Sequence, residues 1–158
     1  MRYLGLDQAT KVTGYAVFDD SKLVESGILE IPNAERFDIG QRFYIMSKKI
    51  STLVEKVKPD LVAIEDIQFQ KNFLTYQKLA NFQGIVFQIL FERDIPYTIV
   101  EPSKWKSFLN VRGKKREEQK QDTIKKIHQK FGASAKEDES DAIGIAWWTI
   151  NNCKGGKI

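Results

Sequence analysis

The chain has 158 residues, of which 42% are hydrophobic and 29% charged, and its formal net charge is +4. This composition is typical of a soluble globular domain and excludes a collagen-like or wholly disordered chain. No apolar segment approaches the roughly 18–20 residues that span a bilayer. A single cysteine and a single histidine exclude an internal disulfide and any Cys- or His-rich zinc site. The N-terminus resembles no secretion signal, so we expect one cytoplasmic domain over residues 1–153, with 154–158 as a frayed tail.

The first third of the chain has the alternation and the turn residues of short strands, followed by one helix. Three strands joined by short loops are predicted as an antiparallel meander, over Tyr3–Leu6, Thr13–Phe18 and Lys22–Ile31. Apolar residues at helical spacing then predict a helix over Arg36–Val57, which Pro59 ends.

The rest of the chain alternates helices with two further strands. The uninterrupted apolar run Leu61–Ile64 suits a central parallel strand, and Tyr97–Val100 predicts another. Four helices are predicted, over Asn72–Arg93, over Pro102–Leu109, from the basic loop Asn110–Lys115 to Phe131, and from near Asp138 to about Asn152. This order predicts an α/β fold with a mixed five-stranded sheet and helices on both faces.

Four acidic residues stand at the ends of predicted elements. Asp7 ends the first strand, Glu65 ends the Leu61–Ile64 strand, and Asp138 and Asp141 share one face at the start of the last helix. If the two strands are neighbours, their carboxylates meet at one edge of the sheet. Such crowding is costly without a cation, and Mg²⁺ prefers a few carboxylates with waters and phosphates. Two such ions about 4 Å apart would form a site for phosphodiester hydrolysis, in which one activates water and the other stabilises the leaving oxygen.

Each of these acids also has a structural interpretation. Asp7 can serve as a turn residue, Asp138 as a helix N-cap and Glu65 as a partner in a salt bridge. A strand-end aspartate followed by a polar turn also opens the phosphate loop of actin-like kinases. That fold needs a second similar lobe, for which 158 residues leave no room.

A basic stretch lies in the second half of the chain. The 27 residues from Lys104 to Lys130 contain ten Lys or Arg and three acids, so they carry +7 while the rest carries −3. Such a distribution indicates a face that binds a polyanion. A solvated, lysine-rich helix face is the alternative.

Several short motifs together resemble the RuvC family of Holliday junction resolvases. They are Gly5-Leu6-Asp7 with Thr13-Gly14, Ala63-Ile64-Glu65, Lys71-Asn72, Gln77-Lys78-Leu79, Gly84, and Asp138 to Ala142 with Ile143 and Ala146. The resemblance covers nearly the whole chain, in the family's order. It implies a ribonuclease H-like fold, a homodimer, branched DNA as substrate, and a catalytic site of two Mg²⁺ or Mn²⁺ ions held by Asp7, Glu65, Asp138 and Asp141. Asp7 would bridge both ions, and which of the other acids serves which ion stays open.

The chain departs from the family where DNA would be contacted. The family's aromatic wedge, three residues after the second catalytic acid, is replaced by Gln68. A helix beginning here would bring Phe69 and Phe73 onto one face, so we predict that they stack on unpaired bases; core packing is the alternative. Phosphate contacts are predicted for Lys104, Lys106, Arg112, Lys114, Lys115 and Arg116. Lys106 matches one family lysine, and the second is Lys114, Lys115 or Lys120.

Three functions therefore stay open. The leading hypothesis is a metal-dependent endonuclease that nicks branched DNA symmetrically as a dimer. The departures from the family pattern indicate a divergent member, and a phage source is one interpretation of them. The second is a ribonuclease H or a YqgF-like RNA-processing nuclease, which would use the same acids. The third is a branched-DNA-binding protein without catalysis, whose acids are structural.

Overall fold

The computed structural model describes residues 1–153, and the predicted tail at 154–158 lies outside them. Its centre is a single five-stranded sheet in the order β3-β2-β1-β4-β5. The strands are β1 (Arg2–Asp7), β2 (Val12–Asp19), β3 (Lys22–Glu30), β4 (Leu61–Glu65) and β5 (Tyr97–Val100). The first three form an antiparallel meander, whereas β1, β4 and β5 run parallel. The predicted mixed sheet is confirmed.

Five helices follow the predicted order. They are α1 (Ile39–Val57), α2 (Phe73–Phe91), α3 (Pro102–Phe108), α4 (Arg116–Phe131) and α5 (Glu137–Asn152). The first begins three residues later than predicted. Asp38 accepts a hydrogen bond from the Gln41 backbone, and the Gln41 side chain bonds back to Asp38, so this capping box fixes the start. Residues 34–36 form a separate 3₁₀ turn.

Helices cover both faces of the sheet, as predicted. On one face, α1 and α2 pack over alternate strand residues such as Leu4 and Ile64. On the other, α3, α4 and α5 pack over Tyr3 and Ala63. Burial on both faces explains why β4 is an uninterrupted apolar run. Within residues 1–153, no helix combines the length and apolarity needed to cross a membrane.

The last helix lies unusually close to the sheet because small residues face each other. A Cβ added at Gly5 of β1 would lie 2.8 Å from the Ala146 Cβ of α5, which is closer than such atoms approach. Gly5 therefore allows α5 to pack directly on the central strand. This packing places the start of α5 at the edge of the sheet where β1 and β4 end.

Candidate active site

Asp7 and Glu65 leave the sheet side by side. Their strands pair in parallel, with Leu6 opposite Ile64, so each acid is the next residue on its strand. Both side chains are half-buried. The parallel register therefore places two carboxylates at one edge of the sheet.

The first two turns of α5 add acidic side chains to this edge. Asp138 and Asp141 lie one turn apart, and with Asp7 and Glu65 they line one cavity of about 550 Å³. Glu137 lines it as well. The structure thus brings together all four acids that the sequence analysis singled out, with a fifth beside them.

The acids interact electrostatically. Burial, followed by the charges of Glu65, Asp141 and Asp138, holds the pKa of Asp7 well above its ordinary value. Burial and then the Glu65 charge raise the pKa of Asp141 to about 7. Burial, and then Glu137, raises the pKa of Asp138. Each of these carboxylates would ionise more readily beside a cation.

Glu65 is held in place by two neighbours. The indole Nε1 of Trp105 donates a hydrogen bond to Glu65 Oε1 at 2.8 Å, and the Gln83 side chain donates to the Glu65 carbonyl at 3.2 Å. Burial raises the pKa of Glu65, while the Trp105 hydrogen bond and the nearby charge of Lys106 oppose that rise. The Trp105 hydrogen bond therefore restrains the orientation of the Glu65 carboxylate.

Basic side chains also line the cavity. Of the six predicted phosphate contacts, Lys106 and Arg116 line it. Lys120 lines it too, and its Nζ lies 2.6 Å from Glu137 Oε1. Among the three lysines considered for the second family position, Lys120 is the one that reaches the cavity.

The other four predicted phosphate contacts lie outside the cavity. Lys104 is exposed on α3 and pairs with Glu101 at 2.9 Å. Arg112, Lys114 and Lys115 are exposed on the loop before α4. That loop is fixed by its backbone N–H groups, which donate to the carboxylates of Asp122 and Glu118. Its basic side chains are exposed to solvent, and their predicted phosphate contacts stay a prediction.

Phe69 and Phe73 are exposed, but they do not share a helix. The Asn72 side chain accepts from the Thr75 backbone and starts α2 at Phe73, so Phe69 stays in the preceding loop. The prediction of one helical face for both rings is therefore wrong. Phe69 packs edge-on against Tyr76 at 5.8 Å. With 59% and 60% of their surface exposed, neither phenylalanine is a core residue.

Three residues at the site were missed by the sequence analysis. They are Gln8 and Glu137, which line the cavity, and Trp105, which donates a hydrogen bond to Glu65. The adjacency of Gln8 to Asp7 and of Glu137 to Asp138 was the available signal. Nothing in the sequence indicated that Trp105 would meet Glu65, because the two are 40 residues apart.

The donor set fits divalent cations of the Mg²⁺ type. All the candidate ligands are carboxylates, which Mg²⁺ and Mn²⁺ prefer. Gln8 adds a buried side-chain amide beside Asp7 whose oxygen and nitrogen have no hydrogen-bond partner among residues 1–153. Within that same range, no three acidic, His or Cys side chains are grouped so that they could hold a metal ion by themselves. Mg²⁺ in proteins is usually held by one or two carboxylates, with waters and substrate phosphates as its other ligands.

The strand order and the helices on both faces define a protein of the ribonuclease H-like fold class. Its sheet has three antiparallel strands followed by two parallel ones, with acids at the ends of β1 and β4 and at the start of α5. The structure of Thermus thermophilus RuvC in complex with a Holliday junction substrate is similar, with a TM-score of 0.74 at 18% identity, over 94% of this chain and 92% of that one. The yeast mitochondrial Holliday junction resolvase matches at a TM-score of 0.60 and 18% identity, over 94% of this chain and 78% of its own.

Sequence comparison identifies the family. The family model described as crossover junction endodeoxyribonuclease RuvC matches residues 3–148. RuvC of Campylobacter concisus is 31% identical over 159 aligned residues, which cover 98% of this chain and 99% of that protein. RuvC of Fusobacterium nucleatum is 26% identical, covering 100% of this chain and 84% of its own. The chain belongs to the RuvC family of crossover junction endodeoxyribonucleases.

Proposed function

We propose that this enzyme nicks branched DNA such as four-way junctions, by hydrolysis that depends on two Mg²⁺ ions, which Mn²⁺ can replace. One observation supports this most strongly: the four acids that match the family pattern line a single cavity together with the basic residues Lys106, Arg116 and Lys120. Bound there, two such ions would activate a water molecule and stabilise the leaving oxygen of the phosphodiester. We place this reaction in the cytoplasm.

The position of each carboxylate would determine how it takes part in holding the ions. Asp7 is influenced by the charges of the other three acids, so it would be suited to hold both ions. Glu65 approaches from β4, and Asp138 and Asp141 approach from α5. In their ionised forms these side chains hold and orient cations, and the raised pKa values of Asp7 and Asp141 fall when cations bind.

The basic residues of the cavity would orient the DNA backbone beside the acids. Lys106, Arg116 and Lys120 line the cavity and can contact the phosphates next to the scissile bond. Lys114 and Lys115 lie on the exposed loop and suit phosphates farther along a DNA arm. We assign DNA binding to the loop lysines, and orientation of the scissile phosphate to the three basic residues that line the cavity.

Phe69 and Phe73 would contact bases at the branch point. Both are exposed, and both lie in or just after the segment 66–72, which leaves the sheet directly after Glu65. An exposed aromatic ring offers stacking surface worth about 1–3 kcal/mol per base. The edge-on contact with Tyr76 orients the Phe69 ring on this surface.

We further propose that the enzyme acts as a homodimer through α2. The outward face of this helix leaves Leu74 and Phe91 exposed by 61% and 81%. Between them in the sequence, Gly84 faces open space: apart from its chain neighbours and the adjacent backbone of α2, no heavy atom of residues 1–153 lies within 4 Å of the position of a Cβ on it. Glycine in an exposed helix costs about 1 kcal/mol relative to alanine, but it lets a second helix approach closely. Two copies of the site would then face the two strands of a junction, and sedimentation equilibrium should give twice the chain mass of 18.2 kDa.

A nicking map on synthetic substrates tests the proposed function. A four-way junction, a flap, a linear duplex and an RNA–DNA hybrid are incubated with the enzyme in Mg²⁺ and, separately, in EDTA. We expect symmetric nicks in the junction with Mg²⁺ and none in EDTA. Preferred cleavage of the hybrid would identify a ribonuclease H or a YqgF-like enzyme instead. Tight junction binding with no cleavage in any metal would identify a non-catalytic binder.

A further inference from the structure

Trp105 makes a hydrogen bond that connects α3 to the candidate active site. Its indole Nε1 donates to Glu65 Oε1 at 2.8 Å, which is within the range of a strong bond to a carboxylate. The Trp105 side chain is completely buried, and Glu65 is half-buried. A hydrogen bond in this setting is shielded from exchange with water, so it restrains Glu65 more firmly than an exposed contact would.

The packing around Trp105 leaves its ring little freedom to move. Gly144 of α5 lies against it so closely that an added Cβ would stand 2.7 Å from the ring carbon Cε3. Leu109, at the end of α3, packs at the same point, since its Cδ1 would lie 3.0 Å from that Cβ. Ring and helix are therefore in contact along the flank of α5 that also presents Asp141.

An indole is suited to hold a carboxylate without competing with a cation for it. Its N–H is a donor only, carries no charge and does not ionise. It occupies one direction at Oε1 and leaves the remaining lone pairs of the Glu65 carboxylate available. A lysine or arginine at this point would instead neutralise Glu65 and weaken its attraction for Mg²⁺.

We propose that Trp105 is a positioning residue, which fixes the Glu65 carboxylate in the orientation needed to hold a divalent cation. This inference rests on the proposed function, because it requires Glu65 to be a cation ligand. Partners that orient metal ligands in this way typically affect metal affinity or activity by about 10–100-fold.

The test removes the N–H and keeps the ring. Trp105→Phe is the simple variant, and replacement of residue 105 by 3-benzothienylalanine, in which sulfur replaces the N–H, preserves the size of the ring system. Trp147→Phe is the matched control, because Trp147 lies on α5 and packs against Phe18 and Phe131. Mn²⁺ binding is measured by electron paramagnetic resonance without DNA, and the Mg²⁺ midpoint of cleavage is measured under single-turnover conditions.

We expect both residue-105 variants to weaken Mn²⁺ binding and to raise the Mg²⁺ midpoint by about 10–100-fold. Junction affinity in Ca²⁺ should change less than about twofold, and the Trp147→Phe control should keep the wild-type metal dependence. If the benzothienylalanine protein binds Mn²⁺ as wild type does, the inference is overturned. If Glu65→Gln also binds Mn²⁺ and cleaves as wild type does, the proposed site itself fails, so the two failures are distinguishable.

Discussion

Asp7 of β1 lies directly opposite Gly14 of β2 in the antiparallel pair. The main chain of Asp138 packs against Gly14 so closely that any Cβ on residue 14 would collide with it. The strand that pairs with Asp7 thus also provides the space in which the acidic end of α5 reaches it. Because Gly14 has no side chain, Asp138 can lie close to Asp7, although the two are 131 residues apart in the sequence.

A methyl group at this position should separate the acids. We expect Gly14→Ala to lower the free energy of unfolding by about 1–3 kcal/mol through overpacking. Because the start of α5 must move, we also expect single-turnover cleavage to fall at least about tenfold. Urea unfolding and a junction nicking assay measure the two effects. Gly40→Ala, at the exposed start of α1, is the control and should cleave as wild type does. A Gly14→Ala protein with wild-type activity would mean that this contact does not set the site.

The order of elements was predictable because it follows from local patterns. The alternation in β2 and the apolar run of β4 predict strands. Pro59 follows the end of α1, and Pro102 begins α3. The strand-end and helix-start positions of the acids could be found in the same way. Their convergence depends on the β1–β4 register and on the close packing at Gly5, which are tertiary features.

What the sequence did not predict depends on contacts between distant residues or on a single cap. The Asn72 cap decides that Phe69 is in a loop, although a helical pattern could have begun earlier. The sequence did not distinguish Lys120 from Lys114 and Lys115 as the second family lysine. Of the three, Lys120 on α4 lines the cavity. Trp105 is a buried core residue, and its hydrogen bond to Glu65 depends on the packing of α3, which no local pattern predicts.

The raised pKa of Asp141 predicts a pH-dependent cost in the metal-free protein. Burial and the Glu65 charge raise this pKa to about 7, above the value of about 4 in an unfolded chain. The folded state therefore binds the extra proton between these values, and stability is lost as pH rises through that window. Asp141→Asn removes the cost. In EDTA at pH 8 we expect the variant to be more stable than wild type by about 1–3 kcal/mol.

This difference should shrink as the pH is lowered and vanish near pH 4, where Asp141 is protonated in both states. Chemical denaturation of both proteins at several pH values measures it. Mg²⁺ at pH 8 should stabilise wild type more than Asp141→Asn. Equal stability of the two proteins across this range would show that Asp141 is not crowded by other carboxylates.

The basic loop should affect DNA binding rather than the chemical step. Lys114→Gln with Lys115→Gln removes two exposed charges outside the cavity. We expect weaker junction binding and a salt dependence whose logarithmic slope falls by about 2, because each phosphate contact contributes about 0.9. The rate at saturating DNA should stay within about threefold of wild type. The control is Lys48→Gln with Lys49→Gln, an adjacent lysine pair on α1. A lost rate with unchanged affinity would place these lysines in catalysis.

Phe69 and Phe73 should matter most for substrates whose bases are still paired. Phe69→Ala with Phe73→Ala removes stacking surface worth about 1–3 kcal/mol per base. We expect cleavage of four-way junctions to fall about tenfold or more, and cleavage of flaps, which already expose bases, to fall far less. Because both rings are exposed, the melting temperature should change little. Tyr44→Ala, an exposed aromatic on α1, serves as the control. Wild-type junction cleavage by the stable double variant would exclude a role for this pair in opening the branch.

The central claim, that four converging carboxylates form a metal-dependent nuclease site, is tested most directly with Asp7→Asn. The substitution keeps the shape of the side chain and removes the charge that lies among Glu65, Asp138 and Asp141. Junction binding and single-turnover nicking are measured on the same preparation in Mg²⁺. We expect cleavage to fall by about a thousandfold or more, with junction binding equal to or tighter than wild type because repulsion of phosphates is reduced. A folded Asp7→Asn protein that nicks the junction at the wild-type rate would contradict the account.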